Sequence, residues 1–473
     1  MSLAEGRGFA IDERPTAFYP VGYPAFLAAL FTLAGPSLLA AKLANIALQI
    51  VILLLTLHLA ERLFRSAVVG RISLTLLAVY PNYIAHTALT SSESLFTAAL
   101  LLAVFAQIEA LDRGSPSVTA LAGLAFGVAA LIKPQAAPVP VLVWALGRAW
   151  MPVPRPRRLV MLGILCVTMA VPLSAWTVRN YRVFGTVFFV STNSGVNLLI
   201  GNNPAATGKY LPLELFPDDS GPEREPYLDR EALRLALEFM TRHPMAALQI
   251  WPRKLWHLYG RDGDGFDWTM AGIGTDDRLR TLVWRVAQIN KVYYLVLVLI
   301  SGVGFLHFAS TRRKADAASA AGMLPFWLTA LFTGVYLICF ADPRFHFPLM
   351  PWVVMYGAWL ISLGLSGPPV SGSIGGSYGP MGSDGCRGTR LQRSGRCDGG
   401  TGGPAGSAEA TGENVHRASP PALTRLPTPP LLGPEPRPPS QRAVHRVSGD
   451  CLRGDNPPET PLAGPGPLAL GSI

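Results

Sequence analysis

Long apolar runs separated by short polar turns organise the chain as far as about residue 365. About 20 helical residues cross the roughly 30 Å hydrocarbon core of a bilayer, and runs of that length predict transmembrane helices. They fall at about 37–60, 67–86, 92–111, 117–133, 135–150, 158–178, 284–308, 320–340 and 346–365. The pattern reads as an all-α polytopic membrane protein with about nine visible transmembrane helices. Ahead of them, Tyr23 to Gly35 is apolar but short, and follows the turn-rich Tyr19-Pro20-Val21-Gly22-Tyr23-Pro24. That stretch predicts an interfacial or re-entrant helix, not a span.

The longest polar interval, 179–283, reads as a folded loop domain. Tyr227 to His243 places Leu228, Ala232, Leu235 and Phe239 on one helical face. Trp251, Trp256, Tyr259 and Trp268 follow at a density typical of the membrane–water boundary. From Ser366 to Ile473 the character changes: roughly a third of the residues are Gly or Pro, without apolar periodicity, which predicts a disordered tail. The organisation is therefore a 1–36 segment with a short apolar helix, transmembrane helices over 37–178, a loop domain over 179–283, further transmembrane helices over 284–365, and a tail over 366–473.

Composition agrees with this pattern. Of 473 residues, 50% are hydrophobic and 15% charged, against about 25% charged in soluble domains. Mean hydropathy is +0.32. The formal net charge of +10 is carried by arginines in short turns. Arg62, Arg65 and Arg71, then Arg113, then Arg148, Arg155, Arg157 and Arg158, then Arg312, Arg313 and Lys314 all fall on one side when the spans alternate. The positive-inside rule makes that side cytoplasmic and places 179–280 outside. No basic stripe interleaved with aromatics suggests nucleic acid. Cys166 and Cys339 stand singly in apolar runs, and Cys386, Cys397 and Cys451 lack metal-ligand spacing, so neither metal nor cofactor is expected. Met1 to Arg14 carry no apolar signal-peptide core. An odd number of spans leaves Met1 outside, which leads to the expectation of a transmembrane helix upstream of this chain.

The outer ends of the spans hold the candidate chemistry. Asp12 and Glu13 precede the YPVGYP segment; Glu93 follows Ser91 and Ser92; Lys133-Pro134 closes the fourth span; Arg179 lies in Trp176-Thr177-Val178-Arg179-Asn180-Tyr181; Arg344 lies in Asp342-Pro343-Arg344-Phe345-His346. Cations at a membrane boundary suit a lipid-linked phosphate, Lys as a point charge and Arg as a planar fork. A neighbouring carboxylate can serve as general base for an acceptor hydroxyl. Each residue also has a structural reading. Ser91 to Glu93 suits an ordinary helix start. Lys133 and Arg344 suit snorkelling, and His86, His346 and Trp176 suit interfacial anchoring.

Four segments carry a resemblance: Arg14 to Pro24 (RPTAFYPVGYP), Leu77 to Phe96 (LAVYPNYIAHTALTSSESLF), Trp176 to Gly185 with Asn197 to Tyr210 (WTVRNYRVFG, NLLIGNNPAATGKY), and Asp342 to Pro351 (DPRFHFPLMP). In this order and spacing they resemble bacterial polytopic sugar transferases of the GT-C class, family 39, related to the protein O-mannosyltransferases and the aminoarabinose-to-lipid-A transferases. The resemblance covers about residues 3–365. It implies inverting transfer from a polyprenyl-phosphate sugar to a glycan, lipid or protein acceptor on the non-cytoplasmic face of a bacterial inner membrane. It further implies that Lys133 and Arg344 hold the donor phosphate; Arg179, a cation at the end of the sixth span, is the third candidate for that role. The family's catalytic aspartate lies in a first outer loop after a first helix; here Ser2 to Phe9 looks like the end of that loop, and both features would precede Met1. Asp12, Glu13 and Glu93 are the carboxylates that would otherwise stand in. The competing readings are a transporter, which would place ionisable residues near the bilayer midplane, and a catalytically incomplete membrane protein.

Overall fold

The computed structural model describes residues 2–11, 13–147, 153–211, 224–272, 276–311 and 317–365. Asp12, the turns around Arg148 and at 312–316, and the tail after Leu365 lie outside the described residues.

Among the described residues six helices are long and apolar enough to cross a membrane: Leu38–Phe64, Ser92–Arg113, Arg155–Phe184, Asp277–Thr311, Ala320–Ile338 and Pro343–Leu365. Three shorter apolar helices accompany them, Gly22–Ala34, Ala67–Ala78 and Pro116–Ile132. The chain is thus an integral membrane protein, and six of the about nine expected spans are helices of spanning length among the described residues. Prolines account for much of the difference. The run at 67–86 breaks into α3 (Ala67–Ala78) and α4 (Pro81–His86), because Pro81 lacks the amide that would continue α3. The run at 135–150 starts with a 3-10 turn, Pro134–Ala136, and only then forms α7 (Val139–Gly147). α6 (Pro116–Ile132) is about 25 Å long at 1.5 Å per residue. Tyr23 to Gly35 forms the short helix expected there, α1 (Gly22–Ala34).

The apolar side chains face outward as well as inward. On α2 (Leu38–Phe64), Leu39, Leu43, Ile46, Ile50 and Leu54 are exposed, whereas Ala41, Asn45, Gln49, Ile52 and Thr56 are buried at helical spacing. This inverts a soluble helix and suits a lipid-facing one. Two of the buried polar groups hold the turn that leads into α5 (Ser92–Arg113). Asn45 Nδ2 donates to the Leu89 carbonyl at 2.5 Å, and Gln49 Nε2 donates to Ser94 Oγ at 3.2 Å. At the other end of α5, Arg62 pairs with Glu109 at 3.1 Å and with Asp112.

α5 and α6 form an antiparallel hairpin through Gly114 and Ser115. The start of one helix therefore lies beside the end of the other. α6 in turn packs closely on α8 (Arg155–Phe184): a Cβ at Gly127 would sit 2.4 Å from Pro172 Cγ, and one at Gly123 2.0 Å from Thr168 Oγ1. Small residues four apart let two backbones approach in this way.

Between α8 and α14 (Asp277–Thr311) come α9 (Ser194–Gly201), α10 (Glu225–Arg242), α11 (Pro244–Gln249), α12 (Trp251–Tyr259) and α13 (Asp264–Gly272). α10 carries the expected apolar stripe, with Ala232 and Ala236 buried against Leu198 and Leu199 of α9. α15 (Ala317–Gly322), α16 (Leu324–Ile338), a 3-10 helix at Pro343–Leu349 and α17 (Met350–Leu365) complete the described chain. The only described strands are β1 (Ala10–Ile11) and β2 (Arg14–Pro15), an antiparallel pair ahead of α1.

Candidate functional site

The α5–α6 hairpin places Glu93, in the first turn of α5, beside Lys133, the residue that ends α6 in extended conformation. Lys133 Nζ donates to Glu93 Oε1 at 2.9 Å, and the ammonium sits 5.7 Å from the ring centres of both Phe96 and Phe345. An ammonium above two aromatic faces is held by their quadrupoles as well as by the carboxylate. Arg344 reaches the same place from the loop before α17. Its guanidinium, with the side chain 28% exposed, lies 5.5 Å from the centre of the Phe345 ring and 3.4 Å from Asp342 Oδ1.

Between Glu93 and Arg344 opens a cavity of about 180 Å³, with His86, Ser91, Ser92 and Trp268 among its walls. Ser91 Oγ is shielded from solvent and has no hydrogen-bond partner among the described residues. The cavity thus combines a cation, a carboxylate, hydroxyls and an indole face.

A second set of carboxylates fixes the Arg344 loop from the side of α13. Asp264 Oδ2 accepts the Arg344 amide at 2.8 Å and Asp342 Oδ1 accepts it at 3.2 Å, so the two carboxyls converge on one N–H. Burial and then the charge of Asp342 push Asp264 up to about 7. The Arg344 amide acts in the opposite direction.

Deeper, Asp262 accepts from His346 Nε2 at 2.9 Å, from Tyr80 Oη at 2.5 Å, from Asn290 Nδ2 at 3.1 Å, and from Asn82. Burial alone would raise this carboxyl. The hydrogen bond and charge of His346, with hydrogen bonds from Tyr80 and Asn290, outweigh it and hold Asp262 below the usual carboxylate range. The other His346 ring nitrogen lies 2.6 Å from the Leu258 carbonyl. His346 is therefore a buried crosslink between the last helices and the loop domain, not the interfacial residue its sequence position suggests.

His86 is also buried, at 2% exposure. Its Nδ1 lies 2.9 Å from the Asn82 carbonyl, and its ring packs on Phe347 with centres 4.3 Å apart. Burial lowers its pKa below the ordinary 6.5, against the opposing charges of Glu93 and Asp262.

Of the sequence-selected cations, the structure brings together Lys133 and Arg344. Arg179 is engaged elsewhere: its guanidinium donates to the carbonyls of Thr16 and Phe9, both at 2.9 Å, and stacks 4.8 Å from the Trp176 ring centre. With Glu225, which accepts from Thr16 Oγ1 at 2.6 Å and the Ala17 amide at 2.9 Å, it ties down the segment leading into α1. Trp176 donates its indole N–H to the Val190 carbonyl at 2.7 Å, so it too is built into this junction. Among the carboxylates, Glu93 lines the cavity, whereas Glu13 is 87% exposed with Arg7 as its partner. Asp12 lies outside the described residues.

Sequence reasoning missed His86, Trp268 and Asp264 as parts of one site. The polar pair Asn45 and Gln49, four apart in an apolar helix, was a readable sign that the turn beside them is held in place.

Residues 19–176 match the family model for dolichyl-phosphate-mannose-protein mannosyltransferase. The match begins at Tyr19, includes Glu93 and Lys133, and ends before Arg344. The match spans about a third of the chain, and it is to this family that the segment from α1 to α8 is similar. No curated protein matches the chain.

Proposed function

We propose that this protein transfers a sugar from a polyprenyl-phosphate donor to a hydroxyl acceptor, on the non-cytoplasmic side of the membrane. The observation that carries the reading is the pairing of Lys133 with Glu93, which with Arg344 lines one cavity at the ends of apolar helices. The donor's isoprenoid chain stays in lipid alongside the helices, and its phosphate meets the two cations. Lys133 has three N–H donors, one of which serves Glu93. Arg344 offers a planar fork. As the glycosidic bond breaks, charge builds on the departing phosphate, and fixed cations in a partly dry site stabilise that charge more than water would.

Glu93 has a defined part in this arrangement. It holds the Lys133 ammonium at the cavity edge and offsets one positive charge while the site is empty. Arg179 anchors the segment before α1, beside which the lipid chain would run. The bacterial inner membrane, and a glycan, lipid or protein as acceptor, belong to this proposal.

The test is donor use by Lys133→Met and Arg344→Met variants. Losing one charge-assisted contact costs about 1.5–3 kcal/mol, or roughly 10- to 150-fold in donor affinity. Variants that fold, insert and use donor as the parent does would return both residues to an anchoring role.

A further inference from the structure

We infer that Trp268 is the residue that reads the donor's sugar, its indole covering the apolar side of a neutral hexopyranose in the cavity between Glu93 and Arg344. The inference rests on the proposed sugar transfer. It adds a recognition residue from the loop domain, beyond the segment that matches the family model.

One face of α13 sets the direction of the indole. Trp268 follows Asp264 by four residues and Gly265 by three, and positions so spaced on a helix lie one above the other. Asp264 Oδ2 accepts the Arg344 amide at 2.8 Å. A Cβ at Gly265 would come 2.9 Å from His86 Nδ1, 3.0 Å from Ala85 Cβ and 2.5 Å from Asn82 Oδ1. The Gly265 amide donates to that same Asn82 oxygen at 3.2 Å. This face of α13 therefore looks onto α4 and the Arg344 loop. Trp268 leaves the same face one turn further on and lines the cavity together with His86 and Arg344. It keeps 36% of its surface open, so its ring is not spent on packing.

The rest of the wall suits a sugar. Besides Trp268 and Leu89, the described walls are polar: His86, Thr90, Ser91, Ser92, Glu93 and Arg344. A pyranose needs both kinds of surface, because its ring carbons present C–H groups on one side while its hydroxyls spread around the rim. Sites that combine an aromatic wall with a few convergent polar groups fix such a ligand's orientation. Ser91 has hydrogen-bonding capacity in reserve. It is the N-cap residue of α5, where a serine oxygen ordinarily accepts an amide of the first turn, yet it makes no cap bond. Its Oγ has no hydrogen-bond partner among the described residues.

Charge narrows the class of sugar. Glu93 is the only carboxylate among the described walls, and the Lys133 ammonium already engages it at 2.9 Å. A cationic amino sugar would enter without an unengaged anion to pair with, which is costly in a sheltered site. A neutral sugar needs none. The volume agrees: a water needs roughly 10–15 Å³ of such space, so about 180 Å³ holds on the order of a dozen waters, close to the non-hydrogen atoms of one hexose.

The test is equilibrium binding of short-chain polyprenyl phosphate to the full chain in nanodiscs. The lipid is used bare, or bearing mannose, glucose or aminoarabinose. In the parent, a neutral hexose should tighten binding over the bare phosphate by roughly tenfold, the scale of one well-placed aromatic contact. Trp268→Phe should keep most of that gain. Trp268→Leu, which retains apolar bulk without an aromatic face, should lose it. All three proteins should bind the bare phosphate alike. The readout is a ratio of two lipids on one protein, so a misfolded fraction, which weakens both, does not imitate the loss.

A Trp268→Leu protein that keeps the full gain overturns the inference, as does one that loses both lipids equally while Trp268→Phe keeps them. Tightest binding of the aminoarabinose lipid, or a parent that gains from no hexose, also overturns it. A parent that does not bind bare polyprenyl phosphate overturns the donor reading itself.

Discussion

Lys133 Nζ lies 2.9 Å from Glu93 Oε1, in an ion pair whose side chains are only 11% and 4% exposed. A pair this sheltered is weak support for stability, but breaking it from one side leaves an uncompensated charge, at about 3–5 kcal/mol. Glu93→Gln and Lys133→Met alone should each lower the melting temperature sharply. The double variant should recover much of that loss while remaining unable to use donor. Thermal melts of the three proteins test this, and a double variant as unstable as the sum of the singles would show that the two residues act separately.

The carboxyl pair behind Arg344 should make stability depend on pH. Asp264, raised from 3.8 to about 7, binds its proton more tightly folded than unfolded. Its contribution is fully present below about pH 4 and is lost as pH rises toward 7, because the folded state must then hold a second buried negative charge beside Asp342. The loss is on the order of a few kcal/mol. Asp264→Asn should melt higher than the parent at pH 8, with the difference shrinking by pH 5. Parallel melting curves across this range would rule out the raised Asp264 carboxyl.

The α6–α8 contact should tolerate no added bulk. At Gly127 a Cβ would meet Pro172 Cγ at 2.4 Å and the Met169 carbonyl at 2.6 Å. Gly127→Val should cost about 1–3 kcal/mol through overpacking and weaken donor use by shifting Lys133, which follows directly from α6. Unchanged melting in detergent would contradict the close approach.

Lys254 should act as a fastening for α16. It is fully buried, and its ammonium donates to the Leu337 carbonyl at 2.8 Å, with the Ile338 carbonyl and Asn202 Oδ1 both at 3.4 Å. Burial lowers its pKa to about 8. Charging it in the folded state is therefore costly, and its contribution declines as pH falls from about 10.5 to 8. Lys254→Met removes the donor from the end of α16 and should destabilise by about 1–3 kcal/mol. Melting at pH 7.5 measures it; a Lys254→Met protein as stable as the parent would show that the carbonyls have other donors.

Topology can be checked separately from chemistry. Reporters that fluoresce only in the cytoplasm should stay dark when fused within 190–270 and be bright at 62–71. A bright fusion within the loop domain would invert the orientation on which the non-cytoplasmic reading depends.

The sequence by itself determined whatever depends on local pattern. Runs of apolar residues specify helices that bury in lipid, because an unpaired backbone has no partner there. Pro81 already marked where one of those runs breaks, although hydrophobicity alone read through it, and Pro134 marked the close of another. The pairing of Glu93 with Lys133 was nearly local too, since a hairpin of two helices returns its end to its start. Tertiary structure decided what depends on residues far apart. Arg344 joins Lys133 and Glu93 across more than two hundred positions, whereas Arg179, an equally plausible cation by sequence, is taken up by the carbonyls of Phe9 and Thr16. His86 and His346 look alike as residues flanking apolar runs. The first meets the Asn82 carbonyl at one nitrogen; the second is fixed at both by Leu258 and Asp262. A histidine's chemistry depends on which acceptor each nitrogen meets, and those partners are set by packing between distant segments, not by neighbours in sequence.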